Sequence, residues 1–353
     1  MVTAVVALGS VVSPAPRSTW QTVFDRDAEA VPYQSPQWTD ALCRSTHRQD
    51  TSRLYTFDDG TQVVLPLIGH RWAPSAMDMA GSMPWGWGIG GLLSTSPVTV
   101  AHIRAVVADL QTRTRFLRLS IRPNPRAGDV WKEAMPAGAH RVARLAHAID
   151  LDGGFDTVWH TKFSSSTRKY VTRAEQAGVI VECDDQGRLV PAYYDLFREA
   201  TRRWAAQQNE PLLLARLRGS RRDPEQKFTT IARTLQDACR MYVAYVDGQP
   251  AAACIVLTYH NANAARVVLD RERVGRSGAP DLMMKCAIED ACKAGCRYFH
   301  QGESGTSKGI ADFKRRVGGT GYAYEEYYLE RLPVTAVDNA LRTGIKKIIR
   351  FKD

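Results

Sequence analysis

Three stretches of this sequence combine residue types that suit chemistry on an anionic substrate. The one nearest the C-terminus runs Phe299-His300-Gln301-Gly302-Glu303-Ser304-Gly305-Thr306-Ser307-Lys308-Gly309-Ile310-Ala311-Asp312-Phe313-Lys314-Arg315-Arg316-Val317-Gly318-Gly319. A buried strand should give way here to a Gly/Ser loop holding Gly302, Glu303 and Ser304. A short helix should follow, with Phe313 beside the cations Lys314, Arg315 and Arg316. Backbone amides of such a loop bind anions, and a lysine aimed into a dry cleft stabilises an oxyanion. Gly302 to Lys308 lacks the spacing of a P-loop. A second stretch, Ser164 to Val179, places Arg168, Lys169 and Arg173 on a serine-capped helix, where Lys169 and Arg173 share a face. The third, Arg198 to Arg222, holds Arg198, Arg202, Arg203, Arg216, Arg218, Arg221 and Arg222 against Glu199 and Glu210, with Trp204 among them to stack on a base. The expectation is that the three basic stretches converge on one cleft that grips phosphate or RNA.

Other chemistries lack their residues. No GxSxG elbow, HExxH or CxxC pair is present, so Ser-His-Asp hydrolysis and a metal site have no support. Seven cysteines without pairing pattern make a poor disulfide framework and fit a reducing cytoplasm. His300 reads as a strand-end histidine rather than a general base. The whole chain carries 47 basic and 37 acidic residues, net +10. Of this, residues 1–150 hold +3 and the remainder +7. Such a field favours polyanions: nucleic acid, phosphorylated substrates or an anionic membrane surface. No stretch is long and apolar enough to span a bilayer, so a soluble, cytoplasmic protein is expected.

The elements that must position these residues follow from periodicity. Across 353 residues, helix signals alternate with β-runs, which argues for an α/β or α+β architecture in two domains. The opening Val-rich segment reads as a strand, a helix is expected from Gln37 to His47, and a hairpin should turn at Asp58-Asp59-Gly60. Trp85 and Trp87 lie in a Gly/Trp-rich stretch, and further elements are a helix over 98–112 and a strand over 116–121. A boundary is expected at Asp152-Gly153-Gly154. Beyond it the pattern predicts one helix over 155–178, a helix over 191–208, an Arg-rich connection, a helix over 224–239, three strands between 241 and 270, a helix over 279–295 and a short strand at 298–300. Leu341 to Lys352 forms a basic amphipathic helix, which packs at the terminus or contacts lipid or RNA.

The helix Arg168-Lys169-Tyr170-Val171-Thr172-Arg173-Ala174-Glu175-Gln176-Ala177-Gly178-Val179 and the segment Gly309-Ile310-Ala311-Asp312-Phe313-Lys314-Arg315-Arg316-Val317-Gly318-Gly319, in this order and separation, resemble the FemABX family. Gln34-Ser35-Pro36-Gln37-Trp38 is similar to that family's opening motif. The family's members are aminoacyl-tRNA-dependent peptidyltransferases that build peptidoglycan cross-bridges. The resemblance implies two tandem acetyltransferase-like (GNAT) domains, each a mixed β-sheet flanked by helices. The first would be 1–150 with 320–353, on the acceptor side with Trp38, Trp85 and Trp87 at its cleft. The second would be 151–319, holding the aminoacyl-tRNA. It also implies that Phe313 and Lys314 contact the tRNA acceptor end, Lys314 stabilising the carbonyl under attack. The flanking cations Arg168, Lys169, Arg173, Arg202, Arg203, Arg216, Arg218, Arg315 and Arg316 would hold phosphates. The sequence departs from the family at Leu42, where a lysine is common, and at His300, where an aspartate is common.

The expected function is therefore amide formation from an aminoacyl-tRNA co-substrate and an amine-bearing muropeptide or small-molecule acceptor. It needs no other cofactor or metal, and the protein is expected to be a monomer with an optional peripheral contact to anionic membrane. Two alternatives remain. One is an acyl-CoA-dependent N-acyltransferase, for which Arg273-Val274-Gly275-Arg276-Ser277-Gly278 is an imperfect pyrophosphate cradle. The other is a non-catalytic RNA or membrane binder.

Overall fold

The computed structural model describes residues 6–70, 79–82, 88–113 and 116–348. In chain order the described elements begin with β1 (Leu8–Val12), α1 (Arg17–Arg26), α2 (Pro36–Ser45), β2 (Arg48–Asp50), β3 (Arg53–Phe57), β4 (Gln62–Leu65), β5 (Ile68–His70), β6 (Met79–Gly81) and β7 (Leu93–Ser94). Then come α3 (Val100–Arg113), β8 (Arg118–Ile121), α4 (Gly128–Ala134), β9 (His140–Asp150), α5 (Gly154–Thr157), α6 (Ser165–Gln176), β10 (Ile180–Asp184), α7 (Val190–Gln207), α8 (Leu212–Arg222) and α9 (Glu225–Leu235). The chain continues through β11 (Cys239–Val246), β12 (Gln249–Thr258), β13 (Ala262–Leu269), α10 (Arg271–Val274), α11 (Ala279–Lys293), β14 (Tyr298–Glu303), α12 (Lys308–Arg316), β15 (Thr320–Glu330) and α13 (Val334–Ile348). Two compact units result: residues 1–148, 302–308 and 320–332 form the first, and residues 149–301, 309–319 and 333–353 the second.

In the first unit the strands β1-β3-β4-β7 form one sheet, and β9-β15-β8-β6-β5-β2 follow one another in a second, mixed one. The expected hairpin at Asp58-Asp59-Gly60 joins β3 to β4. Ser35 starts α2: its hydroxyl accepts the Trp38 amide at 3.1 Å, and Pro36 sits in the first turn, where a missing N–H costs nothing. The core packs Ile103, Val106 and Leu110 of α3 and Trp131 of α4 on Leu119, Ile121 and Tyr327. β15 hydrogen-bonds to β8 on one side and β9 on the other. That double pairing is why residues 320–332 belong with the first unit. Residues 333–353 group with the second, so the closing segment expected as one piece, 320–353, is divided.

The second unit centres on β10-β11-β12-β13-β14. Met283, Ala287 and Ile288 of α11 and Val171 and Ala174 of α6 bury against Tyr242 and Cys254 of the sheet. The single helix expected over 155–178 is broken. After α5 a π-turn covers Val158–Lys162, and the chain leaves helical conformation at Phe163. Ser164 explains the break, because its hydroxyl accepts the Thr167 amide at 3.1 Å and so restarts the chain as α6. The Arg-rich connection expected between 208 and 224 is likewise structured, with most of it forming α8. Between β13 and β14 the parallel pairing covers only Ala262 with Phe299 and Asn263 with His300. Beyond that point the strands part, and the space between them becomes the candidate site.

Candidate functional site

A cavity of about 770 Å³ lies wholly within the second unit. Ala264, Val267 and Leu269 of β13 form one wall, and Gln301 closes the parted end of β14. The short helix α10, the loop after it to Gly278 and the first turns of α11 form another wall, and Gly309, Ile310, Phe313, Lys314 and Arg316 of α12 a third. Tyr170 and Arg173 of α6 and Arg203 and Trp204 of α7 complete it. Close packing fixes these walls. Gly278, at φ +78°, brings α11 so near α6 that a Cβ there would stand 2.2 Å from the Tyr170 carbonyl oxygen. Only glycine satisfies both the backbone angle and that approach.

The electrostatics are one-sided. Arg173, Arg203, Arg271, Arg276, Lys314 and Arg316 line the cavity, while Asp281 is the one carboxylate among its lining residues. Arg316 donates to Asp281 at 3.2 Å. Burial nevertheless holds the Asp281 carboxyl above the usual carboxylate range, against the pull of Arg316. Burial lowers the Arg203 pKa, and the neighbouring charge of Arg271 lowers it further. Cations crowded this way are each other's cost until an anion enters. Lys314 is 9 % exposed, and Phe313 beside it carries the Arg316 guanidinium 5.5 Å from its ring centre. Trp204 is 37 % exposed and presents a ring for stacking.

Among the described residues, one buried polar side chain of the lining is left without a partner. Gln301 is 5 % exposed, yet neither its Oε1 nor its Nε2 makes a hydrogen bond. A buried amide left unmade is costly, so the position demands an explanation. The amide rests on Gly319, where a Cβ would come within 2.1 Å of Gln301 Oε1 and 2.9 Å of the Lys314 carbonyl oxygen. Gly319 therefore makes the room that lets Gln301 and the end of α12 lie side by side.

Of the residues singled out from the sequence, Arg173, Arg203, Trp204, Phe313, Lys314 and Arg316 come together on this cavity. The others do not line it. Arg168 donates to the carbonyls of Trp159 and Phe163 and so holds the π-turn, and Lys169 is exposed. Arg202 pairs with Glu199 and Arg315 with Asp312 on exposed helix faces, and Arg218 reaches from α8 to Glu210 at 2.7 Å, while Arg216 is exposed on α8. Gly302, Glu303 and Ser304 fall in the first unit. There Glu303 accepts from the Tyr324 hydroxyl and faces Arg122 at 3.8 Å and Arg144 at 3.6 Å. Those arginines also share Glu326. Trp38 is fully buried, edge-on to Tyr33 with ring centres 5.1 Å apart, and is a core side chain. Trp85 and Trp87 lie outside the described residues. Sequence reasoning missed Arg271 and Gln301. Arg276 it met only in the imperfect cradle, whose arginine and glycines were the available signal.

Residues 161–315 match the family model of the acetyltransferase (GNAT) domain. The fold is shared with FemX over 93% of this chain and 99% of that one, at 10% identity and a TM-score of 0.65. It is also shared with the C-terminal domain of a protein described as a lysylphosphatidylglycerol synthetase from Agrobacterium fabrum, over 93% and 95% at 14% identity and 0.54. A tandem GNAT protein from the clavulanic acid biosynthesis pathway matches over 92% and 98% at 15% identity and 0.51. At these identities the likeness is one of fold, and it is the tandem acetyltransferase-like architecture that the sequence implied. Comparison with curated protein sequences returns no match. Among the described residues no helix is long and apolar enough to cross a membrane. Among them, too, no group of three or more His, Cys, Asp and Glu side chains could hold a metal ion.

Proposed function

We propose that this protein is an acyltransferase that forms an amide by aminolysis of an aminoacyl-tRNA ester, with the donor seated in the cavity of the second unit. The observation that carries this reading is a phosphate-attracting cavity whose one buried side chain without a partner, among the described residues, is a neutral amide. The arginines suit the phosphates next to the acceptor end, and Trp204 and Phe313 offer rings to its bases. An α-ammonium entering among six cations needs an acceptor. Asp281 already serves Arg316, which leaves Gln301 Oε1.

The chemistry asks little of the protein because the ester is already activated. The neutral amine of the acceptor attacks the ester carbonyl, an N–C bond forms and the C–O bond to the ribose breaks. The proton lost by the amine ends on the departing ribose hydroxyl. Lys314 stabilises the oxyanion between these steps, and alignment supplies much of the rest. The amine acceptor is a small molecule or a muropeptide.

A second reading, an acyl-CoA-dependent N-acyltransferase, is favoured by the segment Arg271–Gly278, which lines the cavity just before α11 as a pyrophosphate cradle would. Acetyl-CoA brings phosphates but no α-ammonium for Gln301. Binding assays separate the two. Charged tRNA is expected to raise the melting temperature and bind with a steep salt dependence, while acetyl-CoA leaves the melting curve unmoved. A shift with acetyl-CoA and none with charged tRNA would establish the second reading instead.

A further inference from the structure

The helix α8 has a face that neither the cavity nor the core uses. Its Ala215 and Gly219 are buried, whereas Leu213 is 79 %, Leu214 50 % and Leu217 48 % exposed. At about 100° per residue, Leu213 and Leu217 stand opposite the buried pair and form the outermost ridge. Exposed Arg216 flanks the ridge on one side, and Leu214 and exposed Arg221 flank it on the other. Neither of these two arginines has an ion-pair partner among the described residues. Arg218 and Arg222, nearer the buried face, are satisfied by Glu210 at 2.7 Å and Asp223 at 2.6 Å.

We propose that α8 seats the protein on an anionic phospholipid surface, with Leu213, Leu214 and Leu217 entering the headgroup boundary and Arg216 and Arg221 on the lipid phosphates. The pattern decides between the polyanions that a basic segment attracts. RNA rewards cations and stacking rings, but it has nothing to cover aliphatic side chains. An interfacial helix wants an aliphatic ridge flanked by cations. One short helix binds weakly, and stable residence takes a second signal. In the same unit α13 supplies a candidate, with Val337 and Leu341 spaced four apart and 55 % and 62 % exposed.

The test is co-sedimentation of the full chain with vesicles of phosphatidylcholine alone or mixed with phosphatidylglycerol. Binding is expected to the mixed vesicles and to weaken with salt. L213S/L217S should lower the partition about tenfold or more. R216Q/R221Q should erase the preference for phosphatidylglycerol, at about five-fold per arginine. All four positions are exposed, and an unchanged circular-dichroism melt confirms that the variants fold. A wild-type chain that stays in the supernatant overturns the proposal, as does equal binding by L213S/L217S. So does a dimer in light scattering that L213S/L217S dissolves, since the ridge then belongs to a second copy. Loss of tRNA binding in R216Q/R221Q but not in L213S/L217S, without vesicle binding, would assign the face to RNA.

Discussion

Each unit holds a cavity lined in part by two successive helices, and the two cavities differ in what their charges do. In the second unit the cavity lies between the segment leading into α11 and the side chains of α12 itself. In the first, Ser94–Val98 leads into α3 and Asn124–Trp131 runs into α4, around a cavity of about 490 Å³. That cavity has Arg26 and Arg126 against Asp27 and Glu29. Its charges are largely spent: Arg126 donates to Glu29 at 2.7 Å and to the Tyr322 hydroxyl at 3.0 Å, and Asp27 accepts the Ser94 amide at 2.9 Å. The second-unit cavity gathers six cations around one carboxylate. A repeated architecture thus keeps a neutral, internally satisfied cavity in one half and an unsatisfied, anion-seeking one in the other.

The sharpest break of this contrast is K314M. It should cost about 100- to 1000-fold in kcat while donor affinity holds, as expected for one lost oxyanion donor, measured by single-turnover amide formation. Next comes binding. R271A or R276A should weaken charged-tRNA binding about tenfold and reduce the salt slope by about one per arginine removed. R26A in the other cavity should leave both untouched. Equal losses from the two cavities would dissolve the distinction.

Gln301 sharpens the comparison on the donor's amine. Wild type should prefer an aminoacyl donor over its N-acetylated form, and Q301L should shrink that preference about five- to tenfold by competition kinetics. The smallest effect concerns stability alone. Burial outweighs Asp223 at 3.1 Å and pushes the Lys227 ammonium down to about 8, from an ordinary 10.5. Between those values the unfolded chain binds a proton that the folded chain lacks. Stability should therefore rise with pH across that window, by about 3 kcal/mol in total. Urea melts should show this rise in wild type and its loss in K227M, with no change in donor binding.

Much of the scaffold was legible because it rests on local signals. Asp58-Asp59-Gly60 turns, Ser35 caps, and the strands between 241 and 270 read as near-continuous apolar runs, as a buried sheet requires. Periodicity read straight through residues 155–178, where the break rests on a side-chain cap at Ser164 and a guanidinium reaching back to carbonyls. The candidate site was half legible. Phe313 and Lys314 belong to a motif with its own spacing. Arg271 and Gln301 owe their places to the parting of β13 from β14, a long-range event without a local mark. The arginines between 198 and 222 misled as a count, since helix geometry sends Arg203 inward and leaves Arg202, Arg216 and Arg218 on exposed faces.

The most direct test of the charge-rich cavity as an aminoacyl-donor site is mass spectrometry of products formed from total charged tRNA, acetyl-CoA and a panel of amines. The account predicts a new amide that carries an amino acid, disappears after RNase treatment and is lost in K314M. Acetylated product from acetyl-CoA, unaffected by RNase and with no aminoacyl amide formed, would contradict it.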